Sequence, residues 1–200
     1  VRDGADYTGI DVSADFAALA KKKLIKAGNA VSIIPGDMRN FKLNKTFDLI
    51  FIGFNSFLHL LKDEDAISCF NCVKKHMHEN SHFLIDVFTP SPLFLYRSED
   101  ARFPVLEYTD SNTDEHVHVE ESNVYDPDTE INELTWYFST KKKKDFAVEY
   151  FSMRMYFPSK MNQLLIDSGF RILHQWGDYY RTELGEGSKL QIYDVQKASY

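Results

Sequence analysis

Two acids sit where strand ends would put them. Asp11 closes the run Ala5-Asp6-Tyr7-Thr8-Gly9-Ile10, and Asp37 follows Ala30-Val31-Ser32-Ile33-Ile34 after Pro35-Gly36. In open α/β sheets, ligands bind beyond the carboxyl ends of the strands. An acid at Asp11 can accept two hydrogen bonds from the cis hydroxyls of a ribose. One at Asp37 can accept from the exocyclic amine of an adenine, while the Met38 backbone N–H meets a ring nitrogen. The separation of 26 residues fits one strand-helix-strand step. Each acid also has an ordinary structural use, Asp11 as a helix-capping group and Asp37 in an Asx turn.

Other groupings carry weaker chemistry. Cys69-x-x-Cys72 with His76 and His78 invites a zinc reading, and Cys69, Cys72 and His76 would share a helix flank. Zinc sites draw ligands from separate segments, however, and there is no second cysteine pair. Redox use needs the pair at a helix start, whereas here it falls mid-helix. Burial as small apolar groups is the expected role. Tyr137-x-x-x-Lys141 has the spacing of a dehydrogenase Tyr/Lys pair, but in a strand four residues span about 13 Å, too far for cooperation. His116 and His118 face the same side of a strand, an arrangement that can hold a metal. Beside Glu115, Glu120 and Glu121 they are read as exposed strand residues, and no metal site is expected. Lys141–Lys144 reads as a solvated turn.

The elements that would position these groups alternate. Ser13 is a good N-cap for a helix with apolar positions 16, 19, 20, 24 and 27, stopped by Gly28. Phe47 to Phe54 is nearly continuous apolar sequence, the mark of a strand buried on both faces. A helix over 64–79 follows, with Ala66, Ile67, Phe70, Val73 and Met77 as its buried stripe, and then the strand 82–88. This alternation predicts an α/β sheet. After Pro90, three strands are expected at 115–125, 130–139 and 146–156. A helix from Pro158 to Ser168-Gly169 and two final strands, 170–176 and 189–196, close the chain. The predicted organisation is a core of 1–94 and 157–200, with an inserted antiparallel β-sheet over 95–156.

Composition narrows the class. The 200 residues carry 23 Lys+Arg and 30 Asp+Glu, a net charge of -7, which argues against nucleic acid or an anionic membrane as the main partner. The 44% hydrophobic and 14% aromatic content supplies a core. No stretch approaches the roughly 20 apolar residues of a membrane span. With two cysteines there is no disulfide framework, so a cytoplasmic soluble protein is the default expectation.

Five segments, in order, resemble class I S-adenosylmethionine-dependent methyltransferases. Tyr7-Thr8-Gly9-Ile10-Asp11-Val12-Ser13 is similar to their second-strand motif, and Gly36-Asp37-Met38-Arg39-Asn40-Phe41 to the third. Phe47-Asp48-Leu49-Ile50 through Asn55-Ser56-Phe57-Leu58-His59-Leu60 resembles the fourth strand and its loop. Phe83-Leu84-Ile85-Asp86-Val87-Phe88 resembles the fifth strand. Phe157-Pro158-Ser159-Lys160-Met161 with Leu164-Leu165 and Gly169-Phe170 resembles the helix before a terminal hairpin. The resemblance implies a Rossmann-like α/β sheet with an antiparallel β insertion and a C-terminal antiparallel hairpin. It implies S-adenosyl-L-methionine as cofactor, with Asp11 on the ribose, Val12 beside the adenine, and Asp37 and Met38 on the adenine edge. Phe54 and Asn55 would approach the methionine part and the reactive methyl. The insertion would supply substrate contacts.

For a base, where the acceptor is protonated, the candidates are His59 and Tyr179, with Tyr180 beside it. Arg154 would bind an acidic substrate group or pair with an acid of the insertion. Tyr180, Tyr96 and Trp136 are further pocket candidates. The family's glycine-rich loop does not occur in 1–200. The expectation is therefore a longer chain, whose first strand and glycine loop precede Val1 and lie centrally in the sheet, and residues 1–200 alone are expected to fold and bind cofactor poorly. Two other readings stay open. One is a catalytically silent methyltransferase-like subunit that binds a protein partner. The other is an NAD(P)-dependent oxidoreductase, whose cofactor ribose Asp11 would also suit.

Overall fold

Ser13 lies between the first strand and the first helix and caps the helix. Its Oγ accepts the Phe16 N–H at 3.2 Å and its carbonyl accepts the Ala17 N–H at 2.9 Å, the N-cap arrangement expected from sequence. The computed structural model describes residues 5–24 and 31–198; the helix stop expected at Gly28 lies outside them. Strand β1 (Tyr7–Asp11), helix α1 (Ala14–Leu24) and strand β2 (Val31–Pro35) form one unit, with β1 and β2 parallel and Asp11 opposite Pro35. Then come β3 (Phe47–Ile52), a 3-10 turn (Ser56–His59), α2 (Asp63–Lys75), β4 (Met77–Phe88) and a short α3 (Pro92–Leu95). Strands β5 (Phe103–Thr109), β6 (His116–Asp126), β7 (Ile131–Thr140) and β8 (Ala147–Arg154) make an antiparallel meander. Helix α4 (Pro158–Asp167) and the hairpin of β9 (Phe170–Trp176) and β10 (Leu190–Lys197) end the chain.

Among the described residues three sheets result, ordered β1-β2, β3-β4-β10-β9 and β5-β6-β7-β8. Strands β3 and β4 are parallel, and β10 runs antiparallel to both β4 and β9. Strands β1 and β3 are both edge strands, with no ladder between them among the described residues. Side chains link their units instead. The Tyr7 and Phe51 rings lie 6.2 Å apart, Lys45 pairs with Asp6 at 2.9 Å, and Arg39 pairs with Asp65 at 3.1 Å.

The core lies where α2 and α4 pack on the β3-β4-β10-β9 sheet. Phe57, Phe70, Phe83, Met161, Leu165 and Tyr193 are fully buried there. Phe70 meets Phe83 and Phe170 edge-on and stacks on Phe57, an arrangement that aromatic quadrupoles favour. Buried Gln191 is satisfied at both ends. Its Nε2 donates to the carbonyls of Tyr156 (2.8 Å) and Phe88 (3.3 Å), and its Oε1 accepts from the Tyr193 hydroxyl (2.9 Å). That amide fastens the return from the inserted sheet to the core.

Three sequence expectations need correction. β3 is not buried on both faces, because Leu49 and Phe51 are each 51% exposed on an edge strand. The helix predicted over 64–79 ends at Lys75. Met77 is buried as expected but opens β4, while Ile67 is 41% exposed and Cys69 and Cys72 take the inward side. The inserted sheet has a fourth strand, β5, which the sequence reading passed over.

Burial pushes the Tyr156 and Tyr193 phenols well above their ordinary range. Each stays protonated in the folded protein at a pH where the unfolded chain has begun to lose its proton, above about 10. Their contribution is therefore complete below that pH and declines as pH rises through it. Urea midpoints measured from pH 8 to 11 should hold until about pH 10 and then fall. A midpoint that does not fall would mean these phenols are solvated.

Candidate functional site

The carboxyl ends of β1, β2 and β3 carry the groups nominated from sequence for the cofactor. At β1, Asp11 Oδ1 accepts the Ser13 N–H at 2.8 Å and its carbonyl accepts the Gly36 N–H at 2.8 Å. Its second carboxylate oxygen has no partner among the described residues. Val12, next in the chain, is 78% exposed although apolar. A Cβ on Gly36 would stand 3.0 Å from Ile10 Cγ2, so the turn after β2 passes tightly over the end of β1.

Asp37 sits in that turn, and Arg39 dominates it. Arg39 donates its backbone N–H (2.8 Å) and Nε (3.0 Å) to Oδ1, and Nη2 (2.6 Å) to Oδ2. These hydrogen bonds hold the Asp37 carboxyl below the usual carboxylate range. Asp37 thus shows the Asx-type turn weighed from sequence, and an adenine amine would have to share it with Arg39. Met38 packs against the core.

The chain leaves β3 through two consecutive left-handed residues, Phe54 (φ 54°) and Asn55 (φ 62°). A non-glycine residue there is costly unless its surroundings fix it. Asp86, near the end of β4, supplies the fixing. Its Oδ1 accepts the Phe54 N–H at 2.6 Å and its Oδ2 accepts the Tyr179 hydroxyl at 3.0 Å. Asn55 Oδ1 accepts the Phe88 N–H at 2.8 Å. Phe54 is left 88% exposed beyond the sheet. Asp86 therefore joins the loop after β3 to the loop after β9. Desolvation and the bond to Asp86 push the Tyr179 phenol up, so it is a neutral hydroxyl at ordinary pH.

His59, exposed at the end of the 3-10 turn, lies against the inserted sheet, with its ring 6.3 Å from that of Phe151. Phe151 meets Trp136 edge-on at 5.3 Å, so His59, Phe151 and Trp136 form a continuous aromatic wall. The Trp136 indole N–H is already committed to Glu121 Oε2 at 2.8 Å, and Glu121 also pairs with Arg97 at 3.2 Å. The other nominated groups are not gathered with these. Arg154 is buried and pairs with Asp63 and with Glu130 of the insertion, so a substrate acid would have to displace those partners. Tyr96 packs edge-on against Tyr125, and Tyr180 is 93% exposed.

The rejected groupings behave as small structural units. Cys69 and Cys72 are buried free thiols, and burial raises the Cys69 pKa to about 12. His76 Nε2 accepts the Leu43 N–H at 2.8 Å, which leaves Nδ1 to donate to the Cys72 carbonyl at 2.7 Å. Both ring nitrogens are thus in use. Tyr137 lies under the Arg102 guanidinium, 3.4 Å from its ring centre, and Lys141 lies beyond the strand end.

The role of Asp86 is one that sequence reasoning misses. The signal was available, because it is the one acid in the apolar run Phe83–Phe88. Arg39 was visible only as part of a motif. Replacing Asp86 by alanine leaves the Phe54 N–H and the Tyr179 hydroxyl without their acceptor. It should lower stability by about 1–3 kcal/mol in urea unfolding. Asparagine, which keeps one acceptor oxygen, should cost less; equal losses for the two would argue against this role.

Residues 1–80 match the family described as a methyltransferase domain. No curated protein matches the sequence. Similar solved structures include a S-adenosylmethionine-dependent methyltransferase from Clostridium acetobutylicum ATCC 824, with 18% identity, TM-score 0.78, and 96% of this chain and 75% of that one covered. The CcbJ methyltransferase from Streptomyces caelestis gives 14% identity, TM-score 0.81, and 99% and 77% coverage. The sugar N-methyltransferase KedS8 from Streptoalloteichus sp. ATCC 53650 gives 16% identity, TM-score 0.65, and 96% and 71% coverage. Among the described residues no helix is long and apolar enough to cross a membrane. The chain shares the fold of these methyltransferases, and its match to the methyltransferase domain family covers residues 1–80.

Proposed function

We propose that this protein transfers the methyl group of S-adenosyl-L-methionine to a small-molecule acceptor. The observation that carries the reading is the row of groups at the carboxyl ends of β1 to β4. It comprises the half-used Asp11 carboxylate, the Asp37–Met38 turn, and the exposed Phe54 held in a left-handed turn by Asp86. A carboxylate oxygen with no partner among the described residues, beside an exposed valine, suits a ribose edge and an adenine face. The fit of these residues to the cofactor rests on those two features.

Asp11 would hold the ribose hydroxyls through its free oxygen, with Val12 against the adenine. Asp37 and Met38 would hold the adenine edge, and Arg39 keeps the Asp37 carboxylate ionised and oriented. Phe54 and Asn55 would line the methionine part. The bound cofactor supplies an electrophilic methyl already activated by its sulfonium. The protein's own contribution is then alignment and exclusion of water. Tyr179, neutral and anchored on Asp86, can orient an acceptor by accepting its N–H or O–H. His59, on the aromatic wall of Phe151 and Trp136, is the group placed to take a proton where the acceptor carries one. Tyr180 and Tyr96 are the remaining candidates for substrate contacts, Arg154 being held by Asp63 and Glu130. Sugar N-methylation by a protein of similar fold makes amino sugars a sensible first acceptor screen.

Thermal melts of the full-length protein with S-adenosylhomocysteine, and separately with NADH, test the reading. At 100 times Kd, binding should add about 2.7 kcal/mol. A rise with S-adenosylhomocysteine alone is expected. A rise with NADH alone would favour an oxidoreductase, and no rise with either a silent binding subunit. Asp11→Ala removes a charged acceptor worth about 1.5–3 kcal/mol, so affinity should fall roughly 10- to 150-fold. Calorimetry that finds unchanged affinity would mean the ribose lies elsewhere.

A further inference from the structure

The outer face of the inserted sheet carries a group of residues that methyl transfer does not use. His116 and His118 project from β6 on the face opposite Val117 and Val119, which are buried. Across the ladder, Glu107 of β5 stands opposite His118, and Thr109 opposite His116. Glu107 Oε1 lies 3.0 Å from His118 Nδ1, and Oε2 lies 3.3 Å from His116 Nε2. The two imidazole rings are perpendicular, with centres 4.6 Å apart. One ligand atom from each of the three residues can be chosen so that all lie within 4.8 Å of one another.

As ion pairs these contacts are worth little, because all three side chains are 41–58% exposed. As a coordination sphere they are well matched. Ligands at about 2.0–2.1 Å from a tetrahedral zinc ion are separated by about 3.3 Å; His118 and His116 lie 3.0 and 3.3 Å from the two different oxygens of Glu107, and a turn of that exposed carboxylate presents one oxygen to both rings. The His–His edge closes by rotation of one exposed ring. The antiparallel register fixes all three Cα positions, and the ligands come from two strands rather than one helix. Imidazole and carboxylate together suit a borderline divalent transition ion.

We propose that Glu107, His116 and His118 bind a divalent transition-metal ion such as Zn2+, with one position left for water, and that the ion clamps the exposed edge strand β5 to β6. It lies on the sheet face opposite the Trp136–Phe151 wall, so its role is structural rather than catalytic.

Metal-stripped full-length protein titrated with ZnCl2 by calorimetry should bind one equivalent with micromolar affinity. His118→Ala and Glu107→Ala should each weaken it about tenfold or more, with S-adenosylhomocysteine affinity unchanged. Co2+ should give visible d–d bands without a thiolate charge-transfer band in the near ultraviolet, a readout that needs no variant. Absence of stoichiometric binding would overturn the proposal. So would affinity that survives His118→Ala, or a thiolate band pointing to Cys69 and Cys72.

Discussion

A carboxylate near the end of β4 holds the site together. Asp86 receives the Phe54 N–H and the Tyr179 hydroxyl on its two oxygens, and with Asn55 it fixes two left-handed residues in succession. Without that acceptor the turn would have little to offset its backbone strain, since Phe54 itself packs against almost nothing. Three segments far apart in sequence are thereby set at one edge of the sheet. The strain is placed where a bound molecule would meet the chain, and the rigid ladder of β3, β4 and β10 beneath it bears the load.

The inserted sheet is secured to the core by charges as well as by packing. Arg154, where β8 ends, reaches Asp63 at the start of α2 and Glu130 in the β6–β7 turn, while Lys160 of α4 shares Asp63. Asp63 also sits in the first turn of α2, where a negative charge is favoured by the helix dipole. The next anchor is Tyr156, whose hydroxyl donates to the Leu60 carbonyl and whose own carbonyl accepts from Gln191. The sheet is thus hinged at its exit, near the 3-10 turn that carries His59. This hinge keeps Phe151 within reach of the imidazole.

Much of this was legible in the sequence, for reasons that separate cleanly. Strands and helices with strong local signals were read within a few residues: Ser13 as a cap, Pro158 at a helix start, and Gly169 with its positive φ at a helix end. β5 was not legible. Pro104 interrupts it, and only Phe103 is even half-buried, so no alternation of burial exists to be seen. Missing β5 also hid Glu107, the residue that turns a same-face histidine pair into a three-ligand cluster. β3 misled in the opposite direction, since an apolar run reads the same whether its second face is covered or not. Arg154 shows a further limit. Its pairing with an acid of the insertion is anticipated from sequence and met by Glu130, but its second partner, Asp63, lies 91 residues away in the core and leaves no local trace.

The inner face of the insertion limits what kind of acceptor the proposed reaction can take. Glu121 is occupied by Trp136 and Arg97, and Arg97 in turn stacks over Phe94 and Phe103 at 4.7 and 4.3 Å. Arg154 is neutralised in the same way by two acids. Charges that would otherwise select an ionic substrate are therefore paired within the protein. What remains turned towards the 3-10 turn is aromatic surface, Trp136 and Phe151, with the His59 imidazole at its edge. An acceptor held there would be selected by shape, by stacking on ring faces and by single hydrogen bonds rather than by net charge. That is consistent with a reaction in which the protein's work is alignment, and in which an ion pair would bind substrate and transition state alike without speeding the step.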